Sequence, residues 1–241
     1  MRRLHPEPAG QVDPFEEYGD VAGRWLRVGM VLSADGSVTD EEGWSDGLGG
    51  AADFEVFRTL RALADGIMVG AATVRTGRMG PARLRADLRR RRTALGKAGP
   101  AAIVVVSRSL ELDWSLPLFT SAETPTVVVT SRAAAARVPD GVRAVGVDDT
   151  GGLDLAEAVT RLRDEHGLAH LVCEGGPALT TSLLRAGLVD ELCLNIAPTL
   201  IGSRHHTRLL TELDARAELR LGAVYTADDV LFLRYLTGPR T

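Results

Sequence analysis

Two unbroken valine-rich runs, Ala101–Ser107 and Thr126–Thr130, constrain the fold more than any other feature of the chain. A strand with one wet face alternates apolar and polar residues. A continuous apolar run needs cover on both faces, the setting of a strand inside a parallel sheet. Parallel neighbours need crossover connections, so helices must separate such strands. The chain supplies them. Phe54, Phe57, Leu60 and Leu63–Ala64 recur at three- and four-residue steps and predict a helix over Asp53–Asp65, ended by Gly66. A second helix is predicted over Asp154–His166, with Asp154 at its cap, Glu157 at the third position and Gly167 as its stop. Trp25–Leu32, Ile67–Gly70, Val142–Val147 and Leu168–Cys173 read as further strands, and Ala71–Arg75 as a helix start. Leu188–Pro198, Leu219–Thr226 and Val230–Leu236 are strands that close the chain. One α/β domain follows, its central sheet mostly parallel with an antiparallel C-terminal end.

The composition narrows the function classes. Of 241 residues, 45% are apolar and 25% charged, the balance of a soluble globular protein. A net charge of −4 argues against a generally basic nucleic-acid binder. The longest apolar stretches, of about seven residues, are far too short for a membrane span, and the N-terminus lacks the apolar core of a secretory signal. Cys173 and Cys193 sit in apolar runs and read as buried, reduced thiols of a cytoplasmic protein. Residues 1–23 carry prolines, glycines and mixed charge without period and read as an N-terminal arm, ordered only if something docks it. The domain proper is residues 24–241. Arg83–Lys97 holds seven basic residues against Asp87, a solvated face in the plain reading and an anion-docking surface in the sharper one.

The strongest chemical signal is Leu171–Val172–Cys173–Glu174–Gly175–Gly176–Pro177–Ala178–Leu179. A buried strand ends in a carboxylate, two glycines and a proline, and a helix through Ala186–Gly187 follows at once. Glycine admits close approach of a phosphate, proline suits a first helical turn, and the helix's amides and positive dipole end face whatever lies beyond. Thr180, Thr181 and Ser182 add hydroxyls. Ile67–Met68–Val69–Gly70–Ala71–Ala72–Thr73–Val74 has the same plan. Two such strand ends on one parallel sheet make a crevice for a nucleotide or dinucleotide. Three other patterns fail. Gly47–Ala52 matches G-x-G-x-x-A but follows a polar loop. His5–Pro6–Glu7 lacks the P-C-x-x-C that a zinc deaminase requires. His205–His206 has no third ligand at metal spacing, so no metal is expected.

Three stretches resemble the reductase domain of bacterial riboflavin biosynthesis: Leu26–Gly36, Leu60–Val74 and Leu171–Gly202, the last reading E-G-G-P, then A-G-L-V-D-E-L, then I-A-P-T-L-I-G. With the segments between them, the resemblance covers residues 24–236 in order. It implies a dihydrofolate-reductase-like three-layer α/β/α fold, NADPH as cofactor and a homodimer. It also implies reduction of the ribosylamino group of 5-amino-6-(5-phosphoribosylamino)uracil to ribitylamino. The resemblance further implies the site residues. Glu174 falls on a substrate-contacting glutamate; as the acid of the signalled crevice it is the first candidate to orient the sugar hydroxyls or assist the proton, and Asp35, in the S-x-D-G turn with Ser33 and Gly36, is the second choice beside its plain role as a turn residue. Ser45 and Arg61 fall on the substrate side, and Arg83 is a substrate-side candidate as the surviving arginine of the family's D-D-P-x-L-x-x-R, one residue out of register. Val31, Thr73 and the turn Gly175, Gly176, Pro177, Ala178, Leu179, Thr180, Thr181, Ser182 fall on the cofactor. Arg108, after the Val104–Val106 strand, suits the cofactor's 2′-phosphate because a guanidinium matches that group. The chain departs from the family in two places. D-D-P-x-L-x-x-R is missing after Thr73–Val74, and Leu48–Gly49–Gly50 replaces W-I-[ST]-G. The likeness is to the stand-alone actinobacterial branch, which leaves two alternatives open: an NADPH-dependent dihydrofolate or pterin reductase, and a non-catalytic NADPH-binding regulatory protein.

Overall fold

The structure, a computed structural model, describes residues 1–202 and 206–238. In chain order it forms β1 (Arg2–His5), β2 (Ala9–Gln11), α1 (Pro14–Gly19), β3 (Trp25–Ser33), α2 (Gly50–Leu63), β4 (Gly66–Gly70) and α3 (Ala71–Arg75). There follow α4 (Ala86–Ala94), β5 (Ala102–Val106), α5 (Pro117–Thr120), β6 (Val127–Ser131), α6 (Arg132–Ala135), β7 (Arg143–Val147) and α7 (Leu155–His166). Then come β8 (His170–Cys173), α8 (Pro177–Arg185), β9 (Glu191–Ala197), β10 (Leu219–Ala227) and β11 (Val230–Thr237). The chain divides into two compact units, Arg61–Leu188 and Met1–Leu60 with Val189–Thr241.

The Arg61–Leu188 unit carries its strands in the order β8-β4-β5-β6-β7, every pairing parallel. The valine runs behave as their patterning requires: Val104, Val105, Val127, Val128 and Val129 are fully buried. Helix α7 is set by its ends. The Asp154 carboxylate accepts from the Glu157 amide at 2.9 Å, and Gly167 stops the helix in the left-handed region at φ +69°. Leu155, Ala158, Val159 and Leu162 bury its apolar stripe. The basic segment differs from a solvated face at one residue. Arg92 on α4 is buried and donates to the carbonyls of Gly99 (2.6 Å), Ala62 (2.8 Å) and Ala64. Its neighbours pair outward, Arg89 with Glu123 at 2.7 Å and Arg85 with Asp87 at 2.9 Å.

The other unit runs β2-β1-β10-β11-β9-β3, antiparallel except for the parallel β3–β9 pair. Residues 1–20 are ordered elements here. Strand β1 pairs with β10, and α1 begins at an Asp13 cap that accepts from the Phe15 amide at 2.7 Å. Phe15 and Tyr18 are buried. The apolar segment expected at Leu188–Pro198 contributes β9, whose two edges are already taken by β11 and β3.

Candidate active site

The turn from β8 into α8 is built on two glycines with separate tasks. A Cβ on Gly175 would lie 2.5 Å from Val69 Cα and 2.7 Å from the Gly70 nitrogen, so only glycine lets the end of β8 close against β4. Gly176 caps α8 at φ +66°, a conformation that L side chains avoid, and Pro177 occupies the first turn. No side chain caps this helix start. Of the three hydroxyls expected to add donors, two are committed to backbone carbonyls and the third is buried. Thr181 donates to the Pro177 carbonyl at 2.7 Å, Ser182 to the Ala178 carbonyl at 2.9 Å, and Thr180 is fully buried. What the turn offers a ligand is therefore its backbone amides and the positive end of α8.

A cleft of about 840 Å³ opens at the carboxyl ends of the strands in this unit, within the roughly 300–1,000 Å³ of small-molecule sites. Its floor is small: Gly70, Ala71 and Ala72 from the β4–α3 junction, with Ala178 and Leu179 from α8. Arg75, Arg108 and Arg185 bring positive charge, and Gly151 and Gly152 from the loop before α7 keep one wall open. Small residues, two helix starts and three guanidiniums fit a dinucleotide with its phosphates. Arg108 is exposed, with Nε 3.2 Å from Asp149 Oδ2 and Nη2 donating to the Asp149 carbonyl at 3.1 Å. Thr73 lies half-buried on α3.

Glu174 and Arg61, far apart in sequence, are brought together. Arg61 Nε donates to Oε1 at 2.8 Å and Nη2 to Oε2 at 2.6 Å, a two-pronged pair with the glutamate side chain 7% exposed. Both carboxylate oxygens thus accept from one guanidinium, the geometry that fixes an arginine fork most firmly. Arg83 is exposed in the irregular segment before α4 and is not part of this pair.

In the other unit, Asp35 ties down its own turn. Its carboxylate accepts from the Ser33 hydroxyl at 2.6 Å and from the amides of Ile201 (3.1 Å) and Gly202 (2.8 Å). The Ser33 hydroxyl first, then those amides, hold its pKa down at about 2. Val31 is half-buried on β3 beside Asn195 of β9, and Ser45 is exposed in the loop before α2.

One acid in this unit escaped the sequence reading. Asp53 on α2 is buried and accepts from Asn195 Nδ2 at 2.6 Å, while Asn195 Oδ1 is buried with no partner among the described residues. Burial pushes the Asp53 carboxyl above its ordinary range. The signal was an acid in the first turn of an amphipathic helix, a position that capping and the helix dipole account for equally well. His205, of the His205–His206 pair, lies outside the described residues. Both cysteines are buried thiols, and burial pushes Cys173 up to about 11.

Residues 24–233 match the family model of the RibD C-terminal domain. The 2,5-diamino-6-ribosylamino-4(3H)-pyrimidinone 5′-phosphate reductase of Archaeoglobus fulgidus is 32% identical over 186 residues, 75% of this chain and 83% of that one. A protein of the same name from Methanothermobacter thermautotrophicus is 30% identical over 219 residues, 88% of this chain and 97% of that one. Among solved structures, a pyrimidine reductase-like protein from Corynebacterium diphtheriae superposes with a TM-score of 0.77 at 27% identity, covering 90% of this chain and 93% of that one. The riboflavin biosynthesis reductase of Saccharomyces cerevisiae, at 16% identity, shares the fold with a TM-score of 0.68 over 92% of this chain and 95% of that one. The fold is the dihydrofolate-reductase-like arrangement of these reductases, and the chain belongs to the RibD C-terminal domain family.

Proposed function

We propose that the chain is a pyrimidine reductase of riboflavin biosynthesis that reduces a ribosylamino group to ribitylamino with NADPH. The reductase module is residues 24–241, and residues 1–23 are an arm added to it. The observation that carries the reading is the Arg61–Glu174 pair, placed at the glycine turn of a chain that matches a reductase family from residue 24 to residue 233.

The cofactor supplies hydride from its nicotinamide ring. The chain's own residues bind and orient. The α8 amides and the small floor of the cleft suit a pyrophosphate, and Arg108 suits a 2′-phosphate. Glu174 orients Arg61 toward the substrate rather than donating a proton, since both of its oxygens already accept from that guanidinium. Asp35, held at about 2, is ionised at neutral pH and carries no proton to give. Its role is to hold the turn after β3. Ser45 and Arg83 remain substrate-side candidates, and Val31 and Thr73 cofactor-side ones.

The two archaeal relatives are named for a 2,5-diamino pyrimidinone, and their names favour that ring over 5-amino-6-(5-phosphoribosylamino)uracil as the substrate. The pterin alternative rests on the shared fold and cofactor. NADPH oxidation with the diamino-pyrimidinone, the uracil and dihydrofolate separates the readings. Fastest turnover of the diamino ring is expected. Turnover of dihydrofolate alone would replace the reading by the pterin one, and cofactor binding without any turnover by the regulatory one.

The homodimer rests on one half-exposed sheet face. Leu194 and Ile196 of β9 pair in register with Leu233 and Leu231 of β11, which puts all four on the same side, and Leu231 is 41% exposed. A second copy would cover them about a two-fold axis. Sedimentation as a monomer at micromolar concentration would end that reading. Buried thiols fit a cytoplasmic protein, and no helix among the described residues is long and apolar enough to cross a membrane.

A further inference from the structure

Three aspartates stand close together between β7 and α7, and two of them are committed locally. Asp148 accepts from the Thr150 amide (3.3 Å) and hydroxyl (3.1 Å), closing its own turn. Asp154 caps α7. Asp149 is different: its carboxylate and its carbonyl both reach across to Arg108, 41 residues away, at the end of β5. Arg108 and Asp148 line the cleft described above, so the Arg108–Asp149 pair lies along its wall. The pair is exposed, 62% on the arginine and 40% on the aspartate, and exposed ion pairs are weak enough to exchange for a better partner.

We propose that Asp149 sets the cofactor preference by opposing the 2′-phosphate at Arg108. This rests on the reading of the cleft as the NADPH site. A 2′-phosphate at Arg108 replaces the carboxylate as the guanidinium's partner, and the displaced Asp149 stays beside it as a like charge. A bare 2′-hydroxyl leaves the ion pair intact and can donate to the same carboxylate. Asp149 thereby lowers affinity for the phosphorylated cofactor and spares the unphosphorylated one. Asp149→Asn retains an acceptor oxygen for Arg108 Nε and the backbone carbonyl for Nη2, and removes only the charge.

The test is calorimetric titration of the full chain, as wild type, Asp149→Asn and Arg108→Ala, with NADPH, NADH and adenosine 2′,5′-bisphosphate. In Asp149→Asn, NADPH and the bisphosphate should bind about three- to tenfold more tightly, with NADH within about twofold. In Arg108→Ala, both phosphorylated ligands should weaken and NADH should not. If Arg108→Ala weakens them but Asp149→Asn leaves them unchanged or weakened too, Asp149 only holds Arg108 and the proposal is overturned. If neither variant alters any of the three affinities, the cofactor reading of this wall fails with it.

Discussion

Glu174 and Glu191 are both glutamates held by arginine, one in each unit, and their settings differ in what is left over for a ligand. Glu174 stands at the open end of a parallel strand, and its pair with Arg61 is reached by solvent on the arginine side, 22% exposed. Glu191 is fully buried. It accepts from Arg27 at 2.6 Å, Arg234 at 2.5 Å and the Trp25 indole at 3.0 Å. Burial alone would raise its carboxyl, but Arg27 and Arg234 outweigh burial and hold it below the usual range. The same cluster receives α1. Tyr18 lies with its ring 5.0 Å from the Arg234 guanidinium, and Glu17 accepts from Arg3 at 3.1 Å and from the Tyr225 hydroxyl at 3.0 Å. In this unit charge is consumed by the architecture, tying the N-terminal segment to the sheet. In the parallel unit the strands are satisfied by their own ladders and the charge gathers at their ends, where ligands come. A strongly paired carboxylate is a functional sign only where its pair faces open space.

The largest effect should come from breaking the closed cluster. Glu191→Ala leaves Arg27 and Arg234 facing each other in the core without a counter-charge. Removing one partner of a buried ionic group costs about 3–5 kcal/mol. Thermal melts should show the midpoint falling by many degrees, far more than for Glu174→Ala. A Glu191→Ala midpoint within a couple of degrees of wild type would mean that water reaches the cluster and the contrast drawn here is false.

The open pair should move kinetics instead of stability. Glu174→Gln keeps size and one acceptor but loosens the grip on Arg61. KM for the pyrimidine should rise about tenfold, with NADPH affinity within about threefold. A fall in kcat of about a hundredfold at unchanged KM would restore Glu174 as the proton donor.

How much of this was legible in the sequence follows the same division. The parallel unit was readable because its information is local: valine runs for β5 and β6, a cap and a stop for α7, and the glycine turn into α8. The other unit keeps its decisive partners 142 residues apart in Asp53 and Asn195, and 164 apart in Arg27 and Glu191. No window along the chain contains both members of either pair. A signal did exist: Arg27 and Arg234 each interrupt an otherwise apolar strand, and a charge in mid-strand asks for a buried partner. Arg92 was hidden in a different way, in a run of four arginines of which Arg90 is exposed and Arg89 pairs outward with Glu123. The arm's order could not be read because its docking strand, β10, comes more than 200 residues later.

The smallest effect belongs to Asp35, which is charged like Glu191 but exposed like the groups around the cleft. Its three hydrogen bonds favour the ionised form, and the Ser33 hydroxyl leads in bringing its pKa to about 2 from an ordinary 3.8. The sign is that of a depressed carboxyl. Its contribution is fully present above the ordinary value and is lost as pH falls through about 2. Asp35→Asn keeps one acceptor and abolishes the titration. The difference in melting temperature between wild type and Asp35→Asn should therefore be constant from pH 7 to pH 5, then narrow between about pH 4 and pH 2. It should be small throughout, because solvent competes for an exposed carboxylate at every pH. A difference that persists undiminished at pH 2 would show that shape rather than charge holds the turn after β3. Asp35 would then differ from the charged ties of its own unit.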